Sequence, residues 1–306
     1  MFLLIANTLL PLLALWWLIA PNRGNRAEWL AKALLVVSYL YCVMFASVWL
    51  VPSVFAPYAY AALFVIALAL SWLVMRRRPW APATRGAKIR IGACIALSIV
   101  CIAIGTYGAL GLRPVAADAV ELDFPLRDGT FYIVSGGSNA LVNAHLVAPP
   151  RYRGQSYAVD VVAVDRLGQR ATGLLPEDPA AYVIFGKPVH APCDGAVKRV
   201  VDGLPDHAPP HTDRKNLAGN HVLLECGAAE VLLAHLRNGS VAVKAGDAVR
   251  RGDRLGEVGN SGNTSEPHLH LHAQRAGEGG KDLLDREPLA MKFGGRAATR
   301  GILRAD

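Results

Sequence analysis

Residues 259–272, Gly-Asn-Ser-Gly-Asn-Thr-Ser-Glu-Pro-His-Leu-His-Leu-His, run a small polar turn into three histidines at alternating positions. A strand repeats every two residues, so an extended segment after Pro267 puts His268, His270 and His272 on one face, with neighbouring imidazoles roughly 6–7 Å apart. Two such rings can attend one metal ion. Leu269 and Leu271 then point the other way, into a core. The plainer reading of the same pattern is an exposed strand with polar alternation.

All nine histidines lie after residue 144, which concentrates any imidazole chemistry in the second half of the chain. Within it, Tyr157-Ala-Val-Asp-Val-Val-Ala-Val164 is a β-branched run holding one carboxylate, Asp160. A carboxylate among apolar residues needs a partner, and a metal would supply one. Other chemistries are excluded. Gly259-Asn-Ser-Gly262 lacks the Gly-x-Ser-x-Gly order of a nucleophile elbow, residues 256–262 lack the Gly-x-Gly spacing of a dinucleotide loop, and no His-Glu-x-x-His occurs.

Further blocks accompany the histidine turn: Gly186-Lys-Pro-Val-His-Ala-Pro-Cys-Asp-Gly-Ala-Val197, Gly219-Asn-His-Val222, Leu233-Ala-His-Leu236 and residues 243–256. In this order they resemble the zinc endopeptidase domain of the lysostaphin/LytM type over roughly residues 130–275. The resemblance implies an all-β fold and a Zn2+ ion. That ion would be held by a His four residues before an Asp, by that Asp, and by the second His of His-x-His. Asp160 and His270 fill the second and third roles. Ser156, a poor zinc ligand, stands at the first. The nearest upstream histidine, His145, resembles the first ligand of a branch with longer spacing, and a plain loop histidine is its alternative reading. His235 and His268 correspond to the family's pair of proton-handling residues beside the metal. The reaction implied is peptide hydrolysis by metal-activated water, with His268 or His235 taking and returning the proton.

The remaining polar candidates carry less. His272 shares the strand face but has no ligand role in the family, so it is expected in the second shell or in solvent. Asn143 and Asn220 are candidates to orient ligands or substrate. His190 and His221 read as structural, and His207 and His211 as a solvated loop interrupted by two prolines.

The elements that carry this site lie behind an apolar half. Residues 2–20, about 29–51, 57–75 and 89–111 are four apolar runs, each read as a helix crossing a bilayer core of ~30 Å. Among the first 117 residues Glu28 is the only acid against ten basic residues, a balance of +9 that leaves about −1 for the rest of a chain of net charge +8. The high charge therefore says nothing about nucleic acid, and no nucleic-acid partner is expected. Nine of the ten, among them Arg23, lie in or beside the linkers 21–28 and 76–88. The positive-inside rule makes both linkers cytoplasmic and sends the N-terminus and everything after the fourth span to the periplasm or outer surface. A cleaved signal peptide fits residues 1–20 poorly, since no basic residue precedes the apolar run. A transporter fits poorly too, since the span middles hold no Asp, Glu or His. In the exported half Cys193 and Cys226 are expected to pair in an oxidising compartment.

The expected architecture is an N-terminal α-helical membrane domain over 1–111, a linker over 112–123, and an all-β domain of antiparallel sheets over 124–306. Strands are predicted at 124–134, 157–164, 182–185, 189–191, 196–201, 221–224, 231–235, 254–258 and 268–274. Residues 275–306 carry no motif. The functional expectation is a membrane-anchored zinc metalloendopeptidase of the bacterial plasma membrane, its bilayer the anchor and its substrate, by resemblance, a peptidoglycan peptide. The alternative is a non-catalytic domain of the same fold that binds wall peptides or regulates a partner hydrolase.

Overall fold

The computed structural model describes residues 4–20, 24–81, 84–114, 118–277 and 283–306. Arg23, the start of the first apolar run and parts of the three expected linkers lie outside the described residues. The chain divides into two units, Met1–Leu110 and Gly111–Asp306.

The first unit is helical. A π-helical turn, Ile5–Leu9, leads into α1 (Leu10–Ile19), followed by α2 (Arg26–Ala46), α3 (Ala56–Met75) and α4 (Arg85–Gly111). Asn25 and Glu28 form a reciprocal capping box at the start of α2, which satisfies amide groups left unpaired in the first turn. Helix α2 ends at Ala46, earlier than the apolar run. Ser47 is extended and donates to Asn7 Oδ1, and the Asn7 amide in turn holds the Val48 carbonyl. α2, α3 and α4 are each long and apolar enough to cross a membrane, and the apolar helix over Ile5–Ile19 is shorter. Their outward faces carry exposed apolar side chains, among them Val65, Ile66, Ile99 and Trp16, where a water-facing bundle would be polar.

The second unit is built from strands β1 (Val120–Leu122), β2 (Gly129–Ser135), β3 (Val159–Val164), β4 (Pro188–His190), β5 (Gly195–Val201), β6 (Asn220–Cys226) and β7 (Ala229–Leu236). They continue with β8 (Ala248–Val249), β9 (Arg254–Glu257), β10 (Leu269–Arg275), β11 (Pro288–Leu289), β12 (Met291–Phe293), β13 (Arg296–Ala297) and β14 (Gly301–Ala305). The main sheet runs β14-β2-β3-β10-β7-β6-β5-β8, with β11 added beside β10. All its pairings are antiparallel. A small sheet β1-β12-β13 contains the parallel pair β1–β12, a departure from the antiparallel expectation. Strands β4 and β9 form a separate ribbon.

Burial on one face of the main sheet is provided by Phe131, Ile133, Val159, Val161, Leu233, Leu236, Leu269 and Leu271. Leu269 and Leu271 are fully buried there, as their alternation with the histidines requires. Two expectations are corrected. Residues 182–185 form no strand: Tyr182 makes an isolated bridge with Ala171 and a turn follows over 183–186, after a 3-10 segment, Pro179–Ala181; a four-residue apolar run cannot by pattern alone be told from a turn packed on a core. Residues 275–306, which carried no legible motif, supply β11 to β14, and β14 closes the β2 edge. Cys193 and Cys226 are disulfide-bonded with Cα atoms 6.0 Å apart, at one end of the β5–β6 pair.

Candidate metal centre

The site lies on the other face of the main sheet, and strand register creates it. His270 on β10 is directly opposite Asp160 on β3, and His270 Nδ1 lies 2.9 Å from Asp160 Oδ1. Ser135 is also brought opposite Asp160, because β2 slips by one residue between Ile133 and Ser135. His145 comes from a 3-10 turn, Ala144–Val147, and places Nε2 3.4 Å from Asp160 Oδ2. The candidate ligand atoms of His145, Asp160 and His270 all lie within 4.8 Å of one another. Ligands about 2.0–2.2 Å from a tetrahedral zinc lie roughly 3.3–3.6 Å apart, so this set fits one such ion with little movement. Ser156, four residues before Asp160, turns away, its hydroxyl donating to the Arg153 carbonyl.

Asn143 holds the His145 turn. It is fully buried, its amide donates to the Gly137 and Ser156 carbonyls, and its Oδ1 accepts from the His145 backbone amide. The same Oδ1 lies 3.1 Å from His145 Nδ1, so that nitrogen carries the proton and Nε2 faces Asp160 as a lone pair. Burial pulls the His145 imidazole down to about 4 despite the opposing Asp160 charge. It is therefore neutral, as a metal ligand must be. Burial alone would raise the Asp160 carboxyl, but the imidazoles of His145, His268 and His270 outweigh it and hold this group well below the usual carboxylate range.

His235 reaches the site through a break in strand alternation. Asn220 pairs with Leu236 and His221 with Ala234, which leaves His235 as the extra residue of a bulge, at φ +63°. An unbroken strand would send His235 to the core side with Leu233. Instead Leu233 and Leu236 both pack in the core while Ala234 and His235 both line the cleft. This is how a bulge re-aims a side chain. His235 Nδ1 lies 2.9 Å from the Ser261 carbonyl, and His268 Nδ1 lies 2.9 Å from the Glu266 carbonyl and 3.0 Å from Thr264 Oγ1. Carbonyl oxygens only accept, so both rings keep the proton on Nδ1 and offer Nε2 as an acceptor. Their ring centroids are 4.8 Å apart, and His268 Nε2 is 3.6 Å from Asp160 Oδ1. Burial and the neighbouring imidazoles push the His235 pKa well below its ordinary value.

His272 is fully buried, not solvated, with Nδ1 3.1 Å from His270 Nε2, and burial keeps it neutral. Asn220 is buried but attends to backbone: its side chain bonds the Leu204 amide and the Leu204 and Leu236 carbonyls, anchoring the loop after β5. His207 and His211 lie in that loop, outside the cluster. Ser135 and Thr264 were not foreseen as site residues. Thr264 had a signal, its place in the turn before the histidines; Ser135 is reached only through the β2 slip.

A cleft of about 270 Å³ opens over these groups, walled by Tyr152, Gln155, Leu217 and Leu284 as well as the histidines. Fold and site together define a class: an antiparallel β domain with a His/Asp/His ligand cluster beside two acceptor imidazoles. Residues 181–281 match Peptidase family M23, and this part of the chain is an M23 peptidase domain. The matched segment contains His235, His268 and His270; His145 and Asp160 precede it.

A Haemophilus influenzae protein described as an uncharacterized metalloprotease is 34% identical over 85 residues, 28% of this chain and 15% of that protein. The chain thus matches only a small part of that relative's length. Similar solved structures include a peptidase M23 from Pseudomonas aeruginosa (19% identity, 54% of this chain and 49% of that one, TM-score 0.28). A zinc-containing peptidase from Vibrio cholerae is similar over 43% of this chain and 48% of its own, at 21% identity and TM-score 0.26. The lysostaphin catalytic domain of Staphylococcus simulans is similar over 35% and 81%, at 21% identity and TM-score 0.25.

Proposed function

We propose that the chain is a membrane-anchored zinc endopeptidase that hydrolyses peptide bonds, with peptidoglycan cross-link peptides as the substrate. The observation that carries this reading is the convergence of His145, Asp160 and His270 within ligand distance of a common point, with His235 and His268 beside it. Zinc bound there would polarise the scissile carbonyl and acidify a water molecule. His145 would bind through Nε2 and His270 through Nδ1, since the opposite nitrogens face Asn143 and His272. His272 Nδ1 would accept the His270 Nε2 proton and so fix that ring's tautomer. His268 or His235 takes a proton at Nε2 and returns it to the departing amine; their Nδ1–carbonyl bonds hold both rings in the acceptor tautomer. The peptidoglycan assignment follows from the lysostaphin-type resemblance.

Three long apolar helices with lipid-like outer faces support a membrane anchor. By the positive-inside rule the basic linkers support a periplasmic or outer position for the β domain. The non-catalytic alternative draws on Ser156 at a ligand position; His145 beside Asp160 offers a replacement ligand and favours the enzyme reading.

The test is digestion of purified peptidoglycan by the full chain in detergent, read by mass spectrometry of released peptides. New amino termini in the wild-type digest, abolished by chelation and by His268→Ala, are expected. An intact cross-link pattern from a zinc-loaded wild-type protein would refute the peptidase reading.

A further inference from the structure

Beyond the metal-side cleft lies a second cavity of about 440 Å³. The two share the walls formed by Tyr152, Leu217, Ala218 and Leu284, so a chain lying across the scissile position would run on into it. Three cations line this second cavity: Arg151, Arg199 and Lys215. They come from separate places, the 3-10 segment before β3, strand β5 and the loop before β6. Among the described residues no carboxylate lines the cavity and none of the three makes an ion pair. The nearest acid along the chain, Asp213, is occupied by the backbone amides of Lys215 and Asn216 and the Asn216 side chain. Arg151 stacks over the Tyr152 ring at 4.8 Å, which holds its charge at the boundary between the cavities. His221, also in this wall, is kept neutral by burial, with Arg199 adding to the effect.

Like charges gathered at one end of a cleft repel one another. An anionic ligand relieves that repulsion, and guanidinium groups suit a carboxylate through paired N–H donors. We propose that Arg151, Arg199 and Lys215 form a carboxylate subsite that selects peptides bearing free carboxyl groups on one side of the scissile bond. The proposal rests on the peptidase reading and specifies its substrate class. Exposed charge pairs are individually weak, so the preference arises from the three together, about tenfold in kcat/KM, and shrinks as salt is added.

The test uses the full chain in detergent and soluble cross-linked peptides released from peptidoglycan, either with free carboxyls or with every carboxyl capped as a methylamide. Hydrolysis is followed by chromatography, and binding by fluorescence anisotropy of labelled peptides to His268→Ala. The wild type is expected to cleave free-acid peptides about tenfold more efficiently, mainly through KM. The variant Arg151→Gln/Arg199→Gln/Lys215→Gln loses the preference at nearly unchanged kcat for the capped form, and Arg199→Lys retains it. Equal cleavage of free and capped peptides by the wild type overturns the subsite and leaves the peptidase intact. Absence of cleavage with tighter binding of free-acid peptides overturns the peptidase and keeps the subsite. Absence of both effects overturns the two together.

Discussion

On the proposed mechanism, replacing His235 should separate proton handling from metal holding, because its ring lies beside the candidate ligands and outside their set. Its Nδ1 is committed to the Ser261 carbonyl and its backbone sits at φ +63°. His235→Ala deletes the acceptor nitrogen, leaves the Ser261 carbonyl without that donor, and keeps a Cβ in the left-handed region. Loss of a positioned general base costs about 10²–10⁴ in rate, or roughly 3–5 kcal/mol of barrier. The orphaned carbonyl costs about 1–3 kcal/mol of stability. Asn is tolerated better than Ala at positive φ, so His235→Asn should be as inactive as the Ala variant yet more stable. The assay is kcat/KM on peptidoglycan peptides alongside zinc content and urea denaturation. Activity down at least a hundredfold with zinc retained in both variants is the expected result. Zinc lost as completely as in His270→Ala would make His235 a ligand, and activity within about fivefold of wild type would remove it from proton transfer.

Asn143→Ala frees the His145 turn and strands the Gly137 and Ser156 carbonyls. Zinc affinity should fall about 10–100-fold, measured by competition with a chelating dye, and metal-free stability by about 2–4 kcal/mol. Acid should destabilise the metal-free protein through His145. The folded imidazole at about 4 lies below the ordinary 6.5, so between these values the unfolded chain holds the proton and the native chain does not. Its contribution, roughly 3 kcal/mol, is complete above pH 6.5 and is lost as pH falls through 4. Urea midpoints across that range should drop with acid, and a flat profile would contradict burial of a neutral His145. Replacing both Cys193 and Cys226 by Ala releases a link across 33 residues and should lower stability by about 4 kcal/mol in the chain-entropy treatment. Zinc content should remain, read on the folded fraction at low temperature.

The sequence made the β10 face legible because period-two alternation is a local property: His268, His270 and His272 on one side, Leu269 and Leu271 on the other. Asp160 stood out as a carboxylate in an apolar run, and its register with His270 follows from pairing β3 with β10, which no local pattern encodes. The His235 bulge was invisible, because Leu233-Ala-His-Leu236 reads as ordinary alternation until the partner strand shows one residue too many. His272 was left between a place behind the ligands and solvent because a polar face of a strand gives no sign of what covers it; the fold puts it behind His270. The helices were readable from their long uninterrupted apolar runs, but the end of α2 depended on Asn7, forty residues upstream of Ser47. The basic cavity could not be foreseen, because Arg151, Arg199 and Lys215 meet only in the folded domain.

The most direct test of the central claim is the zinc content of the purified full chain, wild type against His145→Ala, by elemental mass spectrometry after dialysis against weak chelator. One zinc per wild-type chain and little in the variant is the predicted result. Full retention by His145→Ala would contradict the ligand set of His145, Asp160 and His270.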